Sequence, residues 1–122
     1  MAREKFQTLT ESMYYILLSL LEENCGVDIM KIANDISNGR LVVGPGTLYT
    51  LLDKFENAGM IKQTTSAGRK KSYIITSYGK EMLENEYNRL KQMAYDGKTL
   101  MEGEWNERNT NCEKYWKNIF TV

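Results

Sequence analysis

At 122 residues, with 42% hydrophobic and 26% charged residues, the chain has the size and composition of a single globular domain with a packed core. It is electrically balanced, and it contains no His, which excludes Ser-His and Cys-His catalytic pairs and His-ligated zinc. No apolar run approaches the roughly 20 residues of a membrane span, and the first residues lack the apolar segment of a secretory signal. We therefore expect a cytoplasmic protein that is not an enzyme and needs no cofactor or metal. Cys25 and Cys112 fit reduced thiols, and the alternative is a disulfide between them, which nothing in the sequence supports.

Two amphipathic helices are predicted in the N-terminal third of the chain. Thr8 and Glu11 form a T-x-x-E capping box ahead of the first helix, which is expected to end at Asn24 to Gly26. The second helix is predicted from about Val27 to Ser37, with Asn38-Gly39 as its C-terminal stop. Apolar residues recur at helical spacing in both, namely Met13, Ile16, Leu17 and Leu20 in the first and Ile29, Ile32, Ala33 and Ile36 in the second.

A third helix begins at Gly44-Pro45-Gly46, because proline is well tolerated at the first helical position, and it ends at Ala58-Gly59. The segment before it, Leu41–Val43, is predicted to be a short strand or a buried connector. The buried stripe of the third helix consists of Leu48, Leu51, Leu52 and Phe55.

Two short strands follow, Met60–Thr65 and Ser72–Thr76, which form a hairpin around the turn at 66–69. Within the second strand, Tyr73 and Ile75 should face opposite to Ile74. Thr76 or Ser77 then caps a last long helix, which carries an apolar stripe of Leu83, Tyr87, Leu90 and Ala94. A further short helix near the C-terminus would carry Cys112, Tyr115, Trp116, Ile119 and Phe120 on one side.

This order of elements predicts a mainly α fold of the winged helix-turn-helix type, in which three helices precede a two-stranded wing and a long C-terminal helix. We place a winged helix-turn-helix DNA-binding domain at residues 1–77 and a C-terminal helical dimerisation region at residues 78–122.

The charges are unevenly distributed along the chain. Between Met60 and Lys80 every charged residue is a cation, and three of these, Arg69, Lys70 and Lys71, adjoin the hairpin turn. Between Glu81 and Glu113, acidic residues outnumber basic ones. A basic middle followed by an acidic tail indicates two surfaces with different roles.

The third helix and the hairpin carry the candidate DNA-binding residues. In a helix-turn-helix, the N-terminal residues of the second helix of the pair contact base edges in the major groove. Here those positions are Thr47, Tyr49 and Thr50, while Lys54, one turn further, is better placed for the DNA backbone. The cations of the wing would contact phosphate; the candidates are Arg69, Lys70 and Lys71.

Each assignment has a structural alternative. The basic turn is a solvated loop in the simplest interpretation, and Tyr49 is then a core aromatic residue packed over the helix pair. Thr47 and Thr50 would be inert surface positions, and Tyr73 would be structural. Nothing in its spacing requires Arg40, in the turn between the second and third helices, to contact phosphate.

Two segments, VVGPGTLYTLLDKFENAGMIK and GRKKSYIITSYGKEML, resemble the PadR family of bacterial transcriptional regulators. The shared features are a small-residue start, Thr-Leu-Tyr, a leucine-rich helix that ends in Gly-Leu/Ile-Ile, a basic wing, and a Tyr-x-Leu-Thr-x-x-Gly entry into the last helix. Ile75 and Phe55 stand where the family usually has Leu. The resemblance extends from about Thr8 to Met101.

The resemblance implies a homodimer held by the last helix, bound to double-stranded DNA at an inverted repeat, with repression relieved by a ligand. The dimerisation candidates are Leu83, Tyr87, Leu90 and Ala94. Effectors of the family include phenolic acids and flat hydrophobic drugs, and the residues here that would line such an effector site are Met93, Tyr95, Met101 and Trp105. The alternatives are that these side chains only pack the dimer, or that Leu83, Leu90 and Ala94 pack on the first helix of a monomer.

A second class of function is a winged helix that serves as a protein-interaction module, with the acidic tail as its docking surface. Such a module should expose apolar residues where this chain has Thr47, Tyr49 and Thr50 beside a basic wing. The sequence therefore favours DNA.

Overall fold

The computed structural model describes residues 8–64 and 70–103. Along the chain the elements are α1 (Glu11–Ser19), β1 (Asn24–Cys25), α2 (Gly26–Ile36), α3 (Pro45–Asn57), β2 (Ile61–Thr64), β3 (Ser72–Ile75) and α4 (Ser77–Met101). The predictions for the hairpin turn and for the C-terminal segment lie outside the described residues; they concern Arg69, Trp105, Cys112, Tyr115, Trp116, Ile119 and Phe120.

The N-cap of helix α1 lies two residues later than the predicted capping box placed it. Its N-cap is Thr10, whose hydroxyl accepts a hydrogen bond from the backbone N–H of Met13 at 3.2 Å, while the Met13 sulfur accepts one from the N–H of Thr10 at 3.4 Å. The prediction of a Thr8–Glu11 capping box was wrong. Leu9 is buried, so the chain is anchored in the core immediately before Thr10, and Glu11 lies in the first helical turn.

The C-terminal stops of α2 and α3 are confirmed as Schellman motifs. After α2, Asn38 has φ of 57°, and the N–H of Gly39 donates to the carbonyl of Asn34 at 2.8 Å. After α3, Gly59 has φ of 80°, and the N–H of Met60 donates to the carbonyl of Phe55 at 2.9 Å. Because the left-handed conformation is cheap for glycine and tolerated by asparagine, these residues end the helices where the sequence indicates.

The small sheet has three strands in the order β1-β3-β2, and both pairings are antiparallel. The predicted hairpin is confirmed, with Ile61 opposite Ile75 and Thr64 opposite Ser72. Strand β1 was not predicted: Asn24 pairs with Tyr73 in a segment expected to be the end of α1, which in fact ends at Ser19. The segment 41–43 forms no strand; it is a connector that buries Val43.

One hydrophobic core joins these elements. Its largest fully buried side chains are Phe55, Ile16, Leu17, Leu20, Ile29, Leu48, Leu52, Met60 and Ile61. In β3, Tyr73 and Ile75 are buried and Ile74 is partly exposed, as the alternation predicted. Thr76 caps α4 by accepting a hydrogen bond from the N–H of Gly79 at 3.1 Å. The predicted class, a mainly helical winged helix-turn-helix, is confirmed.

Within the described residues, one compact unit ends at Glu86 and a second begins at Tyr87. Leu83, a predicted dimer contact, is instead only 6% exposed and belongs to the core of the first unit. Its side chain therefore has little surface left for a partner. Across the described ranges, none of the helices combines the length and apolar character that crossing a membrane requires.

Candidate nucleic-acid interface

The outer face of α3 presents the polar residues that the sequence singled out. Thr47, Tyr49, Thr50 and Lys54 are all exposed, whereas Leu48, Leu52 and Phe55 on the opposite face are buried. The α3 N-cap is Gly44, which offers no side-chain hydrogen bond, and the first turn contains no acidic residue. Its first backbone N–H groups, which lack helical acceptors, therefore remain available to an anion.

The two described cations of the wing lie directly before β3. Lys70 and Lys71 are exposed, and the neighbouring Ser72 is paired with β1 on one side and β2 on the other. Pairing on both sides holds the backbone of β3 firmly, so the lysines extend from a fixed base. Arg69, the third predicted cation, lies outside the described residues.

Tyr49, Lys70 and Lys71 come together around one cavity of about 310 Å³. The other described lining residues are Cys25, Gly26 and Val27, so this cavity joins the first half of α3, the base of the wing and the start of α2. Thr47, Thr50 and Lys54 do not line it. The structure thus divides the predicted residues into a cavity group and a group on the open face of α3.

Sequence reasoning missed the contribution of α2. The start of this helix was predicted within one residue, but nothing in the spacing showed that Gly26 would lie against Tyr49, 23 positions later. A methyl group added at Gly26 would lie 2.3 Å from the Tyr49 hydroxyl oxygen. Tyr49 itself is 47% exposed, so it is not a core residue, although the end of its ring packs over α2 as that alternative expected.

Arg40 is engaged within the chain. Its guanidinium forms an ion pair with Glu11, donates a hydrogen bond to the Tyr15 hydroxyl at 3.0 Å and lies 5.8 Å from the centre of the Tyr15 ring. The hydrogen bond to Glu11 and the negative charge of that carboxylate raise the pKa of Arg40. These contacts tie the connection between α2 and α3 to α1.

Tyr73 is a structural residue of the wing, as one of the alternatives proposed. It is 4% exposed on β3. Burial raises the pKa of its phenol, and the negative charge of Glu56 and Asp53 on α3, together with Tyr49, raises it further. Its hydroxyl is therefore neutral at physiological pH.

A family model described as the transcriptional regulator PadR-like family matches residues 16–85, which is more than half of the 122-residue chain. The chain belongs to this family. The resemblance inferred from the third helix and the wing is thereby confirmed, and this PadR-like chain is a transcriptional regulator. A comparison with curated proteins finds no match.

Solved structures of PadR-like regulators share the fold. One from Bacillus cereus is 27% identical, with a TM-score of 0.63, over 75% of this chain and 91% of that chain. One from Bacteroides fragilis is 27% identical, with a TM-score of 0.59, over 72% of this chain and 87% of that chain. A transcriptional regulator from Clostridium thermocellum, at 22% identity and a TM-score of 0.63, shows the same fold over 73% of this chain and 92% of that chain.

From Tyr87 onward, α4 of this PadR-like chain exposes large apolar side chains. Tyr87 is 49% exposed, Leu90 36%, Met93 54%, Tyr95 64% and Met101 84%. At about 100° per residue, Tyr87, Leu90, Ala94 and Met101 lie on one face of the helix, and Tyr95 lies on another. Trp105 lies outside the described residues.

The described residues contain no candidate metal site. Among residues 8–64 and 70–103, no three Cys, Asp or Glu side chains come close enough together to hold a metal ion. Cys25 is buried, and its sulfur lies 3.5 Å from a carboxylate oxygen of Asp28.

Proposed function

We propose that the chain is a sequence-specific DNA-binding repressor that acts as a homodimer on an inverted-repeat operator. The observation that carries this proposal is the cavity shared by Tyr49, Lys70 and Lys71, beside the polar face of α3. Two cations and a hydroxyl from separate elements converge next to the helix that enters the major groove in this type of fold. The exposed residues that the sequence assigned to DNA are polar or aromatic, which supports DNA over a protein ligand.

The residues divide into two kinds of contact. Thr47 and Thr50, on the open face of α3, would contact base edges and so carry sequence specificity. Lys70 and Lys71, with Lys54 further along α3, would contact phosphates and so supply affinity and orientation. Arg69, the neighbour of Lys70 in sequence, is proposed to join them.

The dimer would form through the exposed apolar face of α4. Tyr87, Leu90 and Ala94 share that face, and a helix of this kind stabilises itself by burying its apolar stripe against a second copy. Two heads related by a two-fold axis then match two operator half-sites about one helical turn, roughly 34–36 Å, apart. On this basis we propose that residues 1–77 bind DNA and that residues 78–122 form the dimer.

Repression would be relieved by a small hydrophobic or aromatic effector near the dimer face. The exposed side chains of Met93, Tyr95 and Met101 are the described candidates to contact it, with Trp105 as a further one from sequence alone. Binding there would act on DNA affinity only if the effector prefers one arrangement of the two heads.

The test is binding to DNA from upstream of the protein's own reading frame, measured by fluorescence anisotropy against a scrambled duplex at several salt concentrations. Lys70→Ala/Lys71→Ala removes four lysines from the proposed dimer, so the slope of log affinity against log salt should flatten by about 3.6 units, since each phosphate contact contributes about 0.9. Lys80→Ala/Lys98→Ala, which removes two exposed cations from α4, is the matched control and should keep the wild-type slope.

Thr47→Ala/Thr50→Ala should reduce the difference in binding free energy between the upstream and the scrambled duplex by roughly 1–3 kcal/mol, and the salt slope should stay at its wild-type value. A wild-type protein that shows no preference between the two duplexes at any salt concentration would contradict the proposal of sequence-specific binding. Equal slopes for the wing variant and its control would exclude the wing from the phosphate contacts.

A further inference from the structure

Gly26, the first residue of α2, lies directly beneath the side chain of Tyr49 on α3. A methyl group built on its α-carbon would lie 2.3 Å from the Tyr49 hydroxyl oxygen, 2.9 Å from Cζ and 3.3 Å from Cε1. Gly26 is not among the described residues with positive φ. The backbone at this position therefore accepts any L-residue, and what excludes a side chain is the tyrosine ring.

This packing decides where the Tyr49 hydroxyl lies. A tyrosine near the start of an exposed helix face would otherwise be free to extend toward the major groove. Here the end of the ring rests on α2, so the hydroxyl lies beside the first turn of α2 and at the cavity that Lys70 and Lys71 also line. In a helix-turn-helix pair the first helix crosses the DNA backbone, while base edges are reached from the open face of the second.

We propose that Gly26 is a positioning residue for Tyr49, and that Tyr49, so held, donates its hydroxyl hydrogen to a DNA phosphate rather than contacting a base edge. The inference rests on the proposed function, since it names the role of one residue within that DNA interface. It revises the assignment that grouped Tyr49 with Thr47 and Thr50.

The surroundings of the hydroxyl favour a phosphate oxygen as its acceptor. Among the described residues that line the cavity there are two lysines and no acid. The acidic residue of the first turn of α2, Asp28, is in contact with the sulfur of Cys25 at 3.5 Å. A phenol hydroxyl among lysines can donate to an anion while the lysines neutralise its charge.

The loss of a phosphate contact made by a neutral group can be distinguished, in binding experiments, from the loss of a lysine contact or of a base contact. A lost lysine contact changes the number of counterions released and flattens the salt slope, whereas a lost hydroxyl leaves the slope unchanged. A lost base contact narrows the preference for the operator, whereas a lost phosphate contact weakens binding to operator and scrambled DNA by the same factor. Tyr49, the threonines and the lysines are therefore distinguishable in a single set of titrations.

The experiment is a double-mutant cycle on DNA binding, with Gly26→Ala, Tyr49→Ala and the combined variant, together with Tyr49→Phe. Gly26→Ala should reduce affinity for operator and scrambled DNA alike by about five- to tenfold per protomer, the worth of one hydrogen bond, and so by about 25- to 100-fold for the dimer, with the salt slope unchanged. Tyr49→Phe should do the same. In the Tyr49→Ala background, Gly26→Ala should have no further effect, because the ring that it displaces is absent.

Folding of the variants is checked by thermal unfolding. Only the far end of a side chain must move to admit the methyl group, so Gly26→Ala should unfold at or slightly above the wild-type temperature. If Gly26→Ala fails to fold, Tyr49→Phe still tests the phosphate role on an undisturbed backbone.

The outcomes separate this inference from the function on which it rests. If wild type discriminates between the duplexes but Gly26→Ala weakens binding equally with and without Tyr49, the positioning role is overturned and the proposed function stands. If Tyr49→Phe weakens operator binding alone, Tyr49 contacts a base and the inference is again overturned. A wild-type protein that binds neither duplex overturns both.

Discussion

The α-carbon of Gly79 lies against the carbonyl oxygen of Met60. A methyl group added at Gly79 would come within 2.1 Å of that oxygen and 2.7 Å of Cγ1 of Ile75. The same carbonyl accepts a hydrogen bond from the N–H of Thr76 at 2.9 Å, and the Thr76 hydroxyl donates to the carbonyl of Gly59 at 2.7 Å. The first turn of α4 is thus locked to the segment that links α3 to the wing.

Gly79→Ala is expected to destabilise the fold. Because the obstructing atom belongs to the backbone, no rotamer change can relieve the clash, and the free energy of unfolding should fall by about 1–3 kcal/mol. Urea unfolding followed by circular dichroism measures this. The control is Gly97→Ala in the same helix. A methyl group added there meets open space, so the free energy of unfolding should rise by up to about 1 kcal/mol. Equal stabilities for the two variants would show that the first turn of α4 can shift.

The buried phenol of Tyr73 predicts a loss of stability in alkaline solution. Its pKa is raised in the folded state, so the folded protein holds this proton more tightly than the unfolded chain does. Below the unfolded pKa of about 10 the contribution to stability is fully present, and it is lost as the pH rises from there through the folded pKa. The free energy of unfolding of wild type should therefore decline above about pH 10.

Tyr73→Phe removes this group and keeps the ring in the core. Its free energy of unfolding, measured in urea at a series of alkaline pH values, should decline less steeply than that of wild type. Parallel curves for the two proteins would mean that Tyr73 ionises equally easily in the folded and unfolded states.

Local sequence signals were sufficient where an element is long and periodic. Helices α2 and α3 follow the helical spacing of Ile29, Ala33, Leu48 and Leu52, and both end at residues that tolerate positive φ. The hairpin follows from β-favouring runs on either side of a small-residue turn. The polar, exposed face of α3 could also be predicted from helical spacing, because the apolar residues that are buried on one face leave the opposite face to solvent.

The features that the sequence did not reveal depend on contacts between distant segments. Strand β1 has two residues, too few for any periodicity, and exists because β3 offers Tyr73 and Ser72 as partners. Leu83 continues the α4 stripe in sequence, yet its turn packs into the core. The contact between Gly26 and Tyr49 is set by the crossing of two helices, which neither helix specifies alone.

Arg40→Gln should reduce thermal stability slightly and leave DNA binding unchanged. Its ion pair with Glu11 is exposed, and exposed pairs contribute little and weaken in salt. A small fall in the unfolding temperature at low salt, smaller still at high salt, is the expected result. In the anisotropy assay the variant should keep the wild-type salt slope, unlike Lys70→Ala/Lys71→Ala. A flattened slope would place Arg40 among the phosphate contacts.

Leu90→Glu is expected to convert the proposed dimer to a monomer. Leu90 lies on the apolar face of α4 between Tyr87 and Ala94, where a partner helix would bury it, and a carboxylate there would have to be desolvated against apolar side chains. Size exclusion with light scattering should show the mass of two chains for wild type and of one for the variant. Asn88→Glu, exposed on another face of the same helix, is the matched control and should remain a dimer.

Because half-site binding loses the second set of contacts, the monomer should also lose most of its preference for an inverted repeat. A variant that stays dimeric would place the dimer contact on a different surface, and a monomeric wild type would remove dimerisation from the proposed function.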